Sequence, residues 1–148
     1  MSLETKITND LKEAMKNKDQ AALRSVRAIK AAILLFKTDG SGNELNEEGE
    51  IKILQKLVKQ RQDSLDIYVK QGREDLAVTE REEIAIIQKY LPAQLSEAEL
   101  KTSIQALITE TGASSVKEMG KVIGLANQRL AGKAEGKAIA AMVKELLN

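Results

Sequence analysis

The stretch EIAIIQKYLPAQLSEAEL, residues 83–100, decides how this chain is organised. Ile84 and Ile87 recur at helical spacing, so its first half reads as the end of an amphipathic helix. Pro92, the only proline, then breaks that helix, because proline disfavours α geometry at the residue before it. Just beyond it, Ser96 and Glu99 have the spacing of a capping box, and Leu95 and Leu100 that of a hydrophobic staple. One helix stops and another starts around the proline. The reading is an N-terminal helical domain over 1–92 and a small C-terminal domain over 93–148.

Working toward the N-terminus, the pattern predicts four helices. Leu3, Ile7, Leu11 and Ala14 with Met15 form one apolar stripe, ending near Asn17. Asp19 can cap a second helix, in which Leu23, Val26, Ile29, Ile33 and Leu34 face a core. That helix stops at the loop Thr38-Asp39-Gly40-Ser41-Gly42-Asn43. Asn46 caps a long third helix, with Glu47, Glu48 and Glu50 in its first turn, where the helix dipole favours negative charge. Its stripe runs through Ile51, Leu54, Val58, Leu65, Tyr68 and Val69 to a stop at Gly72. A fourth helix carries Leu76, Ile84 and Ile87, with a capping box read from Thr79 to Glu82.

Toward the C-terminus three helices are expected. The first spans Glu97 to about Thr111 and closes at Gly112. Ser115 and Glu118 have capping-box spacing and open the second. The third starts near Gly136 and buries Ile139, Met142, Val143 and Leu146. The fold class is all-α, a four-helix region followed by a three-helix domain.

Composition supports this and excludes much chemistry. The chain is 43% apolar and 30% charged but only 2% aromatic, so its core is aliphatic. With no cysteine there is no disulfide, thiol nucleophile or thiolate metal site. Histidine is absent as well, which removes the usual proton shuttle and the commonest zinc ligand. No Gly-x-x-x-x-Gly-Lys-Ser/Thr motif is present to cradle a nucleotide phosphate. The Glu47–Glu50 and Glu80–Glu83 clusters read as solvated helix faces rather than acid–base groups. No catalytic residue, cofactor or metal is expected. Glu4 and Asp10 interrupt any secretory pattern, and the longest apolar run, Ala31–Phe36, is far too short for a bilayer. No membrane partner is expected, and the cytoplasm is the expected location.

The positive signal lies at 117–137. On a helical wheel Met119, Val122, Ile123, Ala126 and Leu130 share a face, while Lys117, Lys121, Gly124 and Gln128 fall opposite. Arg129 follows, then the pairs Gly132-Lys133 and Gly136-Lys137, which repeat Gly120-Lys121. Over 113–148 there are six basic residues (Lys117, Lys121, Arg129, Lys133, Lys137, Lys144) against three acids (Glu118, Glu135, Glu145). Glycine allows a backbone to approach a ligand closely, and a helix N-terminus at Gly136 would offer N–H groups to phosphate. With so few aromatics, any RNA contact would be to backbone and shape rather than by base stacking.

Four segments in order, KLVKQRQDS at 56–64, QGREDLA at 71–77, EIAIIQKYLPAQLSEAEL at 83–100 and MGKVIGLANQRLAGKAEGKAIAAMVKELL at 119–147, resemble the YqeY family, in its bacterial form. The resemblance covers nearly the whole chain. It implies two helical domains, the second similar to the tail domain of the B subunit of the tRNA-dependent amidotransferase, which grips tRNA. The tail's glycine and basic positions fall on Gly120, Lys121, Gly124, Gly132, Lys133 and Gly136. Ile123 stands where the family often has Met, a volume-conserving change. The resemblance also brings a carbon–nitrogen ligase label with glutamine as amide donor, although the residues supply no machinery to do this alone. The expected role is tRNA binding or association with the tRNA amidotransferase, through Lys117, Gly120, Lys121, Gly124, Arg129, Gly132, Lys133, Gly136 and Lys137. The alternative is a protein-interaction adaptor using the N-terminal helices, with Arg24, Arg27, Lys52, Gln55, Lys56, Lys59, Arg61 and Arg73 as candidate contacts.

Overall fold

A computed structural model describes residues 2–42 and 44–148, so Asn43 of the glycine loop lies outside the described residues. Among the described residues there are seven α-helices and no strand: α1 Leu3–Lys16, α2 Gln20–Lys37, α3 Glu47–Lys70, α4 Glu74–Gln88, α5 Glu97–Thr111, α6 Met119–Arg129 and α7 Gly136–Leu147. The all-α class read from composition holds. The chain divides into two compact units, Met1–Leu91 and Pro92–Asn148.

In the first unit, α1 and α2 form one hairpin and α3 and α4 another, and α2 packs on both partners of the second. The core gathers Ile7, Val26, Ile29, Ile33, Leu54, Val58 and Ile87. Caps form where the sequence has the chemistry for them: the Asp19 carboxylate accepts from the Ala22 N–H, and the Asn46 side-chain oxygen from the Gly49 N–H. Four expected core residues face out instead. Leu34 is 61% exposed and Met15 57%, because each neighbours the residue, Ile33 or Ala14, that occupies the buried helical position. Val69 and Leu76 are likewise exposed. Thr79 caps nothing. The fourth helix begins at Glu74, a turn and a half earlier, and Arg73 in its N-cap position pairs with Asp75 instead of capping.

The ends of α1 and α3 are the same motif built from different residues. After α3, Gly72 donates to Val69 O and Arg73 to Tyr68 O; after α1, Lys18 donates to Met15 O and Asp19 to Ala14 O. Both are Schellman closures with a left-handed residue at the centre. Gly72 takes φ 68° at no steric cost, whereas Lys18 takes φ 55° with a side chain attached.

One acidic cluster departs from expectation. Glu83 is not on a solvated face: its side chain is 13% exposed and reaches Arg61 of α3, 17% exposed, at 3.6 Å. Arg61 also donates to Leu57 O at 3.0 Å, yet its Nε has no hydrogen-bond partner among the described residues. Glu80, one turn back on α4, is raised above the ordinary carboxylate range, first by burial and then by the Glu83 charge, with Arg61 opposing. Glu82 turns outward to Arg24 at 2.9 Å.

Three outcomes are expected. Lys18→Gly should stabilise the first unit by about 1 kcal/mol, read from urea unfolding, since it removes left-handed strain. Because the Glu80 carboxyl is harder to ionise in the folded state, its charge costs stability above the ordinary carboxylate range. Glu80→Gln should therefore raise the melting temperature at neutral pH, with the gain vanishing as pH falls through that range. Glu83→Ala, which strands Arg61, should cost about 2 kcal/mol.

Candidate nucleic-acid interface of the C-terminal unit

The second unit is a three-helix cluster whose core is Leu100, Ile104, Val122, Ala126, Ile139 and Val143, with Leu107, Leu130, Met142 and Leu147 around it. Leu147, not Leu146, is the buried residue at the end of α7; Leu146 packs half-buried against the same cluster. The capping box at Ser96 is complete: its hydroxyl accepts from the Glu99 N–H, and the Glu99 carboxylate accepts from the Ser96 N–H. Leu95 and Leu100 both enter the core, as a staple requires. The second box does not form. Ser115 makes no side-chain cap bond, and Glu118 accepts from the Ser114 N–H at 2.5 Å. A short 3-10 turn, Val116–Glu118, consequently intervenes before α6.

The glycine and basic positions fall into two groups at the two ends of α6. Toward its start are Lys117, on the 3-10 turn, Gly120 and Lys121, with Gly124 at the midpoint of α6, all exposed. An added Cβ at Gly120 or Gly124 would meet nothing within 4 Å. These glycines therefore serve no helix packing within the unit; they thin an outward face. Beyond the far end are Gly132, Lys133, Gly136 and Lys137. The nine residue steps from Lys121 to Leu130 span roughly 13 Å along the helix axis.

Gly132 has a different task from the exposed glycines. It is buried, with φ 78°, and its carbonyl accepts from the Gln94 side-chain amide at 2.6 Å. The next carbonyl, of Lys133, accepts from the Leu95 N–H at 2.9 Å. The connection between α6 and α7 is thus bonded to the segment that leads into α5. Gly136 opens α7 behind Glu135, whose backbone is extended and whose side chain makes no cap bond. The first N–H groups of α7 accordingly have no side-chain cap.

Charge partners divide the cations. Arg129 holds Glu110 through both terminal guanidinium nitrogens, one contact measuring 2.7 Å, and these hydrogen bonds keep the Glu110 carboxyl below the ordinary carboxylate range. Among the described residues, Lys117, Lys121, Lys133 and Lys137 have no acid within salt-bridge distance, and all four are exposed. In the first unit Arg24, Lys52, Lys59, Arg61 and Arg73 are each spent on a carboxylate of the same unit. Sequence periodicity signalled neither the Glu110–Arg129 pair nor the role of Gln94, since both join elements far apart in the chain.

Residues 4–147 match the family described as Yqey-like protein. The chain belongs to the YqeY-like family. Among curated proteins, this YqeY-like chain is 36% identical over 107 residues to altered inheritance of mitochondria protein 41, mitochondrial, of Lachancea thermotolerans, covering 70% of this chain and 57% of that one. It is 30% identical over 116 residues to the protein of that name in Saccharomyces cerevisiae strain YJM789, covering 74% and 63%. The YqeY-like chain therefore spans somewhat under two thirds of the length of these yeast relatives. No helix among the described residues is long and apolar enough to cross a membrane.

The open face at Gly124 gives a direct expectation. Gly124→Ala should stabilise the protein by about 0.5–1 kcal/mol in thermal or urea unfolding, because nothing opposes the methyl and glycine is costly inside a helix. Gly132→Ala should do the reverse, losing about 1–2 kcal/mol to a left-handed alanine at a buried turn.

Proposed function

We propose that the protein binds tRNA, or acts beside the tRNA amidotransferase as its RNA-holding associate, and performs no catalysis alone. The observation that carries this is the set of four exposed lysines without acid partners among the described residues, Lys117, Lys121, Lys133 and Lys137, near Gly120 and Gly124, whose outward side is open. Ammonium groups flanking a thinned backbone suit the phosphates of a polynucleotide, and the uncapped start of α7 adds N–H donors of the same polarity. Arg129 takes part through its position, while its charge is shared with Glu110.

Support also comes from the likeness of MGKVIGLANQRLAGKAEGK, residues 119–137, to the tail of the amidotransferase B subunit. In this reading the glutamine-dependent carbon–nitrogen ligase chemistry belongs to the associated enzyme, and this chain retains the RNA. A bacterial, cytoplasmic setting is part of the same proposal; the yeast relatives bear a mitochondrial name.

A second reading, an adaptor working through the N-terminal helices, is favoured by one observation. Leu34 and Leu35 are exposed on α2 near Arg27 and Lys30, which have no acid partner among the described residues. Co-purification lost in a Leu34→Ser/Leu35→Ser variant, with RNA binding unchanged, would favour the adaptor.

The test of the first reading is tRNA affinity across a salt series. Three or four phosphate contacts give a slope of log affinity on log salt of roughly −2 to −4. Lys121→Ala/Lys133→Ala should flatten that slope by about 2 and weaken binding at low salt. Identical isotherms for the variant and the wild type would remove the surface from consideration.

A further inference from the structure

The C-terminal unit carries a second surface of opposite character. A groove of about 460 Å³ lies between α7 and the segment leading into α5. Leu95, Leu100 and Met142 form its apolar wall, and the small side chains of Ala138 and Ala141 leave its α7 side shallow and open. Around it stand three carboxylates, Glu97, Glu135 and Glu145, against the single ammonium of Lys133. None of the three acids makes an ion pair or a side-chain hydrogen bond among the described residues, unlike Glu110 or Glu83. Gln94, fastened to Gly132, borders the groove, so the hydrogen bonds that hold the α6–α7 connection also fix the spacing of its walls.

We propose that this groove docks a basic amphipathic helix of a partner protein. Ala138, Ala141 and Glu145 follow one another at helical spacing over about two turns, some 10 Å, which matches two turns of a docked helix. Alanine lets two helix axes approach toward the short end of the usual 8–10 Å. The occupant presents small or aliphatic residues to the wall and Lys or Arg to the three carboxylates. Charge makes the choice of occupant: the rim repels a polynucleotide and an acidic peptide alike, and it attracts a cation with an apolar body. This surface meets the lysine surface at Lys133 and the start of α7 and is separate from Lys117 and Lys121, so RNA and the helix could be held together by one small unit.

The test uses the full-length protein and two synthetic 18-residue helical peptides of Leu and Ala, one carrying Lys on its polar face and the other Glu. Fluorescence anisotropy should show the Lys peptide binding, more weakly as salt rises, and the Glu peptide not binding. Glu145→Lys should reduce affinity for the Lys peptide about tenfold. Ala141→Leu, which keeps every charge and narrows the groove, should reduce it to a similar degree, while tRNA binding by this variant stays at the wild-type level. Equal binding of the two peptides, or undiminished binding by the narrowed groove, overturns the proposal. So does self-association of the wild type in sedimentation that Ala141→Leu abolishes, since the occupant is then a second copy. Loss of tRNA binding in a Lys117→Ala/Lys121→Ala variant, whose residues lie outside the groove, leaves these outcomes untouched.

Discussion

Two hydrogen bonds organise the C-terminal unit: Gln94 Nε2 to the Gly132 carbonyl, and the Leu95 N–H to the Lys133 carbonyl. Both tie the turn between α6 and α7 to the chain that enters α5, closing the three helices where the connection would otherwise hang free. Each bond is worth only about 1 kcal/mol net. Their importance is geometric. They hold a buried left-handed glycine in place, and with it the direction in which Lys133 leaves the backbone. The spacing between α7 and the start of α5 follows from the same anchor.

Much of this was written in local patterns. Ser96 and Glu99 capped as read, Asp19 and Asn46 likewise, and the apolar stripe of α6 went inward as its spacing dictated. These succeeded because each depends on residues within four positions of one another. Ser115 and Glu118 had identical spacing and failed, because the Glu118 carboxylate satisfied the Ser114 N–H instead and the chain entered a 3-10 turn first. The spacing is necessary for a box and Ser115 is extended as a cap requires, but the competing donor must also be absent. Thr79 failed for a simpler reason: the helix it was to cap was already under way at Glu74.

What the sequence concealed lies between elements. Glu83 and Glu82 are adjacent and chemically the same, yet one is nearly buried on Arg61 and the other lies in solvent with Arg24, a difference set by the orientation of α4 against α3. Arg129 and Lys121 were both expected to contact RNA, and only the packing of α5 on α6 brought Glu110 to one of them. Leu34 beside Ile33 teaches the same lesson for the core: in a continuous apolar run, spacing alone does not say which neighbour is buried. The acidic groove was invisible for this reason too, since Glu97, Glu135 and Glu145 come from separate parts of the chain.

The open glycines have one more effect. An eleven-residue helix with two of them, and neither end capped by a side chain, is held in shape almost entirely by its inward contacts through Val122 and Ala126. Its backbone amides should then be among the quickest in the unit to exchange with deuterium, opening without the rest of the unit having to unfold. Any ligand seated on that outward side would slow this breathing. Tightening would thus be felt first as a loss of motion, not as a change of shape.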